Sequence, residues 1–338
     1  MVSSQLDVPP TPDHDFPTGP LRPGHMISAY RIEKLVGMGG MGWVYRARHE
    51  LTGRSVALKI LREDQLAFDR SIDRMMREAT ILASVSHQGI PRFFECGLLD
   101  DGRPWIAMEL VEGVALAQRM QRGPLDADAV IDFVMSVAEV LAAAHARGIT
   151  HRDLKPDNII LVPGDGKFPV RVIDWGIAHA PASARFTNMN EAIGTPTYMA
   201  PEQARGGPPP GGHSDVYSVG VVAFQALTGR APFIGASSVE ILVQHLNRPA
   251  PSLAPRCPDA PYGLVELVER MLAKNYQERP TAAEVRSALG KLRVSRQTTP
   301  YLRLATEPGN GIAMPVYETT ITPASSLVEA VYAESEDY

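Results

Sequence analysis

"ITHRDLKPDNIIL", residues 149–161, crowds Asp153, Lys155 and Asn158 between apolar stretches. Three polar groups held in a short loop suggest a proton acceptor, a phosphate clamp and a metal ligand. Further on, "RVIDWG" (171–176) ends a second apolar run in Asp174. A carboxylate at the end of a buried strand is costly unless a cation sits beside it, and Gly176 lets the chain turn directly afterwards. Alone, Asp174 reads better as a strand end before a turn. With Asn158 it makes a pair of oxygen donors, which suits Mg²⁺, a hard cation that also keeps substrate phosphates in its shell.

Upstream, "GMGGMGWVY" holds Gly37, Gly39 and Gly42, with Val44 after them. Glycines let backbone N–H groups approach phosphate oxygens closely. A dinucleotide-binding loop would open into a helix. Here "WVYRARH" follows and reads as a strand, so the loop reads as a hairpin lid over a nucleotide. "SVALKIL" then places Lys59 inside an apolar strand, where it snorkels from an edge or finds an anion. Glu78 offers that anion: it adjoins Ala79 on the core side of a helix expected over 70–85.

The 338 residues carry a net charge of −5 with no basic run, which makes nucleic acid an unlikely partner. The two cysteines, Cys96 and Cys257, form no metal-ligand pattern or disulfide framework. No stretch reaches the roughly 18 uninterrupted apolar residues of a membrane span, and the chain reads as cytoplasmic. Strands are expected through "YRIEKLV", "WVYRARH", "SVALKIL", "RFFECGLL" and "PWIAMELV", and beyond Leu125 a helical period dominates. Ile131, Val134, Ala138, Leu141 and His145 line one face of a long helix. Later helices are expected at 214–228, 237–247, 262–273 and 281–291. "GGPPPGG" (206–212) cannot be helix or strand.

The ordered set of motifs resembles eukaryotic-type (Hanks-type) protein serine/threonine kinases of the kind also found in bacteria. It comprises GxGxxGxV at 37–44, VALK at 56–59, HRDLKPDN at 151–158, a DFG-like triplet at 174–176 and APE at 200–202. The resemblance implies an α+β, bilobal protein-kinase-like fold: a small antiparallel β-sheet lobe with one helix, plus a larger, mainly helical lobe. It also implies ATP and Mg²⁺ as cofactors and proteins phosphorylated on Ser or Thr as substrates. In its terms Asp153 is the catalytic base and Lys155 meets the γ-phosphate. Asn158 and Asp174 hold Mg²⁺, and Lys59, braced by Glu78, binds the α- and β-phosphates. Adenine lies between Val36, Val44 and Ala57 above and Ile160 below, with the backbone of Glu109 and Val111 at its edge and Met108 behind. Glu202 pairs with Arg279, Asp215 braces the catalytic loop, and His151 packs in the core.

The expected organisation is a proline-rich leader over 1–29, a kinase domain over 30–292 and a polar tail over 293–338. Within the domain the small lobe is 30–108, the hinge 109–113 and the large lobe 114–292. Thr195 and Lys155 resemble serine/threonine specificity. Thr187 is an expected autophosphorylation site facing Arg152, phosphorylated within a transient homodimer. Trp175 departs from the usual phenylalanine and is expected as a hydrophobic plug near Leu82 and His151 whose N–H needs a partner. Two rival readings share the fold: a pseudokinase scaffold, opposed by the intact Lys59, Asp153 and Asp174, and a small-molecule phosphotransferase, opposed by APE, Thr195 and Arg279.

Overall fold

The computed structural model describes residues 20–39, 42–61, 79, 81–162, 168–175, 196–205 and 211–295. In the small lobe, β1 (Met26–Ile27), β2 (Tyr30–Gly39), β3 (Gly42–His49), β4 (Ser55–Leu61), β5 (Phe93–Leu98) and β6 (Pro104–Glu109) form one antiparallel sheet in the order β1-β2-β3-β4-β6-β5. The end of one helix, at 79 and 81–83, accompanies it. A smaller sheet, β7 (Val114–Ala115), β8 (Ile159–Leu161) and β9 (Val170–Val172), opens the large lobe. The helices of that lobe are α1 (Leu116–Met120), α2 (Ala127–His145), α3 (Pro201–Arg205), α4 (Gly212–Thr228), α5 (Ser238–Asn247), α6 (Tyr262–Met271) and α7 (Ala282–Ser295).

Strand alternation divides the large sheet into two faces. Val56, Leu58 and Ile60 of β4 are buried with Tyr45, Ala47, Trp105 and Ala107 in a core on the outer face. Ala57 and Lys59 between them are half-buried on the opposite face. Val44 pairs with Lys59 and Ala57 with Met108, so the residues read as the nucleotide ceiling share one face of adjoining strands.

Residues 20–29 correct the expected leader. β1 pairs with β2, Leu21 and Ile27 are 5% and 2% exposed in the outer core, and Leu21 N–H donates to the Tyr45 hydroxyl at 2.8 Å. Two apolar side chains among prolines and polar residues join that core, although average composition reads as leader. The last helix also runs to Ser295 rather than stopping near 291, and Gly212 already belongs to α4.

Helix α2 is capped by Asp126, whose carboxylate accepts from Ala129 N–H, and buries Ile131, Val134, Ala138 and Leu141 as the period predicts. It packs against α7, with Glu139 bonded to Arg286 at 3.0 Å and Asp132 to Arg293 at 3.2 Å. Helix α4 is buried on almost every side, as suits a central helix, and ends at Gly229 with φ 75°. No described helix is long and apolar enough to cross a membrane.

Candidate active site

The loop after α2 is shaped by one carboxylate. Asp215, on α4 and 1% exposed, accepts from His151 N–H and Arg152 N–H, both at 2.8 Å. These bonds hold Arg152 at φ 68°, a left-handed conformation that costs free energy for a residue with a side chain. His145 Nε2 lies 2.8 Å from the same carboxylate. A Cβ on Gly212 would come within 2.6 Å of the His145 ring, so glycine is what lets this histidine in. Gln203 of α3 donates to Arg152 O at 2.9 Å, tying the segment after APE to the loop.

Beyond this anchor the loop sets Asp153 among polar neighbours. Asn158 donates its amide to Asp153 O at 2.8 Å, and Lys155 Nζ stands 3.3 Å from Asp153 Oδ2. Burial works against the Lys155 charge, but Asp153, then Asp157 and Asp174, outweigh it and hold the pKa above its ordinary value.

Asp174 follows β9 at φ 56°. Its neighbour Ile173 is held from both sides: its N–H donates to Asn158 O at 2.9 Å, and its carbonyl lies 2.8 Å from His151 Nε2. Lys59 Nζ crosses from the small lobe to within 3.0 Å of Asp174 Oδ1. Burial raises the Asp174 pKa, yet the Lys59 charge and hydrogen bond, followed by Lys155, bring it below the ordinary value. Thus Asp174 is no bare strand end; a cation sits beside it, as a buried carboxylate requires.

Trp175 is buried behind Asp174, its ring 5.0 Å from His151 and in the same core as Leu82. Its indole N–H donates to Val172 O at 2.8 Å, the partner its burial demands.

The residues read as nucleotide contacts fall on β2, β3, β4, the connector and β8. Val36 is buried, and the pairs Gly37–Val44 and Gly39–Gly42 close on the glycine turn. Ile160 is buried on β8 across from Ala115. Val111 is buried in the connector, whereas the Glu109 N–H donates to Arg92 O at 2.7 Å, which takes that amide out of any pairing with a ligand. Gly113 presses on β8, where a Cβ would meet Leu161 O at 2.5 Å. Glu202 and Arg279 form the expected buried pair through two bonds of 2.7 and 2.9 Å. Glu78, Thr187 and Thr195 lie outside the described residues. The one sign of His145 in the sequence is a polar residue ending an otherwise apolar stripe. Gln203 gave no sequence signal.

Residues 30–288 match the family described as Protein kinase domain. The chain belongs to the protein kinase family. It is 38% identical over 283 residues to the serine/threonine-protein kinase pkn3 of Myxococcus xanthus, covering 81% of this chain and 51% of that protein. It is 37% identical to the serine/threonine-protein kinase PrkC of Bacillus subtilis, covering 77% of this chain and 40% of that protein. The chain thus spans about half or less of the length of these curated relatives. Among solved structures it resembles the kinase domain of Mycobacterium tuberculosis PknI, with TM-score 0.64 and 28% identity over 80% of this chain and 99% of that one. The two-lobed arrangement is therefore that of a kinase domain.

Proposed function

We propose that this chain is an ATP-dependent protein serine/threonine kinase domain, transferring the γ-phosphoryl group of ATP to Ser or Thr hydroxyls of proteins. One observation carries the reading: Lys59 from one lobe and Asp174 from the other meet at 3.0 Å, beside the Asp153–Lys155 pair. Asp153 orients the substrate hydroxyl and takes its proton as the oxygen attacks phosphorus and the bond to the leaving ADP breaks. Lys155 lies against the charge that moves during transfer. Lys59, with Glu78 as brace, draws the α- and β-phosphates. Val36, Val44, Ala57 and Ile160 enclose the base, with Val111 and Glu109 at its edge, and Gly37, Gly39 and Gly42 leave room for phosphate.

Asn158 has committed its amide nitrogen to Asp153 O, so its oxygen is the group left to offer. With the Asp174 carboxylate this makes an all-oxygen donor set, which fits Mg²⁺. When bound there, the ion supplies neutralisation of phosphate charge. The catalytic unit begins by residue 20, with a small lobe to 108, a connector at 109–113 and a large lobe from 114.

Incubating the chain with labelled ATP, Mg²⁺ and a generic protein substrate tests the reading. Positioning and electrostatics supply nearly all catalysis here, so Asp153→Asn and Lys59→Met should each lower transfer by about a hundredfold or more while the fold survives. Near-normal turnover by folded Asp153→Asn protein would sink the assignment. Between two copies, Thr187 is the expected phosphate acceptor, adding about −1.5 to −2 charge near Arg152. Active protein whose Thr187 is always unmodified by mass spectrometry would remove that part.

A further inference from the structure

Helix α5 is fastened from beneath. His245 is 0% exposed, with its ring 4.7 Å from Phe233 and its Nδ1 2.9 Å from the Tyr217 hydroxyl of α4. Beyond α6, Lys274 Nζ donates to the carbonyls of His245 and Gln244 at 2.7 and 3.3 Å, setting a cation on the last turn of the helix. Another face of α5 carries Val239 and Val243, 56% and 50% exposed and one helical turn apart. Ile234, 62% exposed, adjoins them, because Gln244 beside Val243 donates its amide to Ile234 O at 2.7 Å. A single exposed apolar residue needs no explanation, but three gathered at one helix mark a docking surface.

Charge is divided along this strip. At its start Glu240 is taken up, accepting from Ala236 N–H at 2.8 Å. At its end lie two exposed arginines: Arg248 donates to Gln244 Oε1 and Arg205 of α3 to Leu246 O, both at the long distance of 3.4 Å. An occupant with apolar side chains four apart, followed by acids, matches this layout. The chain holds such a sequence outside its described residues. "SSLVEAVYAESEDY" (325–338) spaces Leu327 from Val331 and Val328 from Tyr332 by four, then carries Glu334, Glu336 and Asp337 with no basic residue. Residues 296–324, between α7 and this stretch, can span roughly 100 Å when extended. A domain of this size has a radius of gyration of about 18 Å, so the tether from Ser295 is long enough to reach α5.

We propose that residues 325–338 dock on the strip formed by Ile234, Val239 and Val243, with their acids toward Arg205 and Arg248, and there compete with protein substrates. The competition rests on the kinase reading, in which the turn at Pro196–Tyr198, against which α5 packs, belongs to the substrate platform; the docking does not. Leu327→Asp with Val331→Asp disables the segment and lies outside every described element. In the full chain this double variant should lower KM for a protein substrate about tenfold and leave KM for ATP unchanged. A tethered segment at an effective concentration on the order of 1 mM, with an intrinsic Kd of about 0.1 mM, raises an apparent KM by that factor. A fluorescent peptide of residues 325–338, added to the double variant, should bind by anisotropy. Binding should weaken with salt and with Arg248→Glu, and vanish when Val243→Asp is also present. No peptide binding, binding indifferent to Val243→Asp, or an unchanged protein KM overturns the proposal. So does self-association of the unmodified chain that Val243→Asp abolishes and the tail variant leaves intact, since a second copy would then occupy the strip. Should Val243→Asp disturb the fold, a peptide carrying Glu334→Arg and Glu336→Arg should recover binding to Arg248→Glu; failure of that exchange overturns the proposal equally. Absence of transfer by the unmodified chain would overturn the kinase reading and the competition with it, while peptide binding still decides the docking.

Discussion

A tryptophan and an aspartate that adjoin in sequence do different work here. Asp174 holds its charge because Lys59 lies 3.0 Å away, and Asp174→Ala should abolish metal-dependent turnover. Trp175 touches none of the reacting groups: it packs on His151 and donates to Val172 O. Trp175→Phe should therefore keep turnover and cost on the order of 1 kcal/mol, from one hydrogen bond and some buried area. Denaturant midpoints beside transfer rates check both; activity lost as fully as in Asp174→Ala, with ATP binding retained, would make the packing account wrong. The motif residues were legible because their chemistry is unusual in an apolar setting. His245 was not, since one histidine in an apolar helix looks like core, and its partners come from α4 and from the chain after α6.

At the scale of elements, the strands followed from alternation and the long helix from its 3.6 period, both local signals. Pairing between α2 and α7 was illegible, because it joins residues more than a hundred positions apart. It also contains an ion pair that misleads. Asp132 is 14% exposed and Arg293 is 45% exposed, so burial of the acid outweighs a cation largely in water. The Asp132 pKa is raised, first by burial and then by Asp128 and Asp126, against the pull of Arg293. A carboxyl raised in the folded state stabilises at low pH, and that contribution is lost as pH rises through its folded pKa. At neutral pH Asp132→Asn should thus leave stability unchanged or raise it by up to about 1 kcal/mol, despite breaking an ion pair. A clear fall in the urea midpoint would reverse this ranking of burial over attraction.

For the whole molecule, His245 sets a window of pH. Its ordinary pKa of 6.5 drops to about 4 on folding, burial being the main cause and Lys274 the second. Between those values the unfolded chain binds a proton that the folded chain refuses, so this group's contribution falls on acidification and levels below about 4. The slope is about 1.4 kcal/mol per pH unit at most. Stability measured against His245→Leu should show the advantage of the original chain shrinking from pH 6.5 downwards; a constant gap would refute it. The lobes were legible from motif order, but the lower boundary was not, because Leu21 and Ile27 act only through a sheet far along the chain. That boundary has a practical side. The family match begins at Tyr30, so a gene trimmed there would encode a lobe whose outer core has lost Leu21 and Ile27 and whose Tyr45 hydroxyl has lost the Leu21 N–H. An outer core thinned in this way invites self-association, and the trimmed protein should leave solution as aggregate at concentrations where a chain starting at residue 20 stays dispersed.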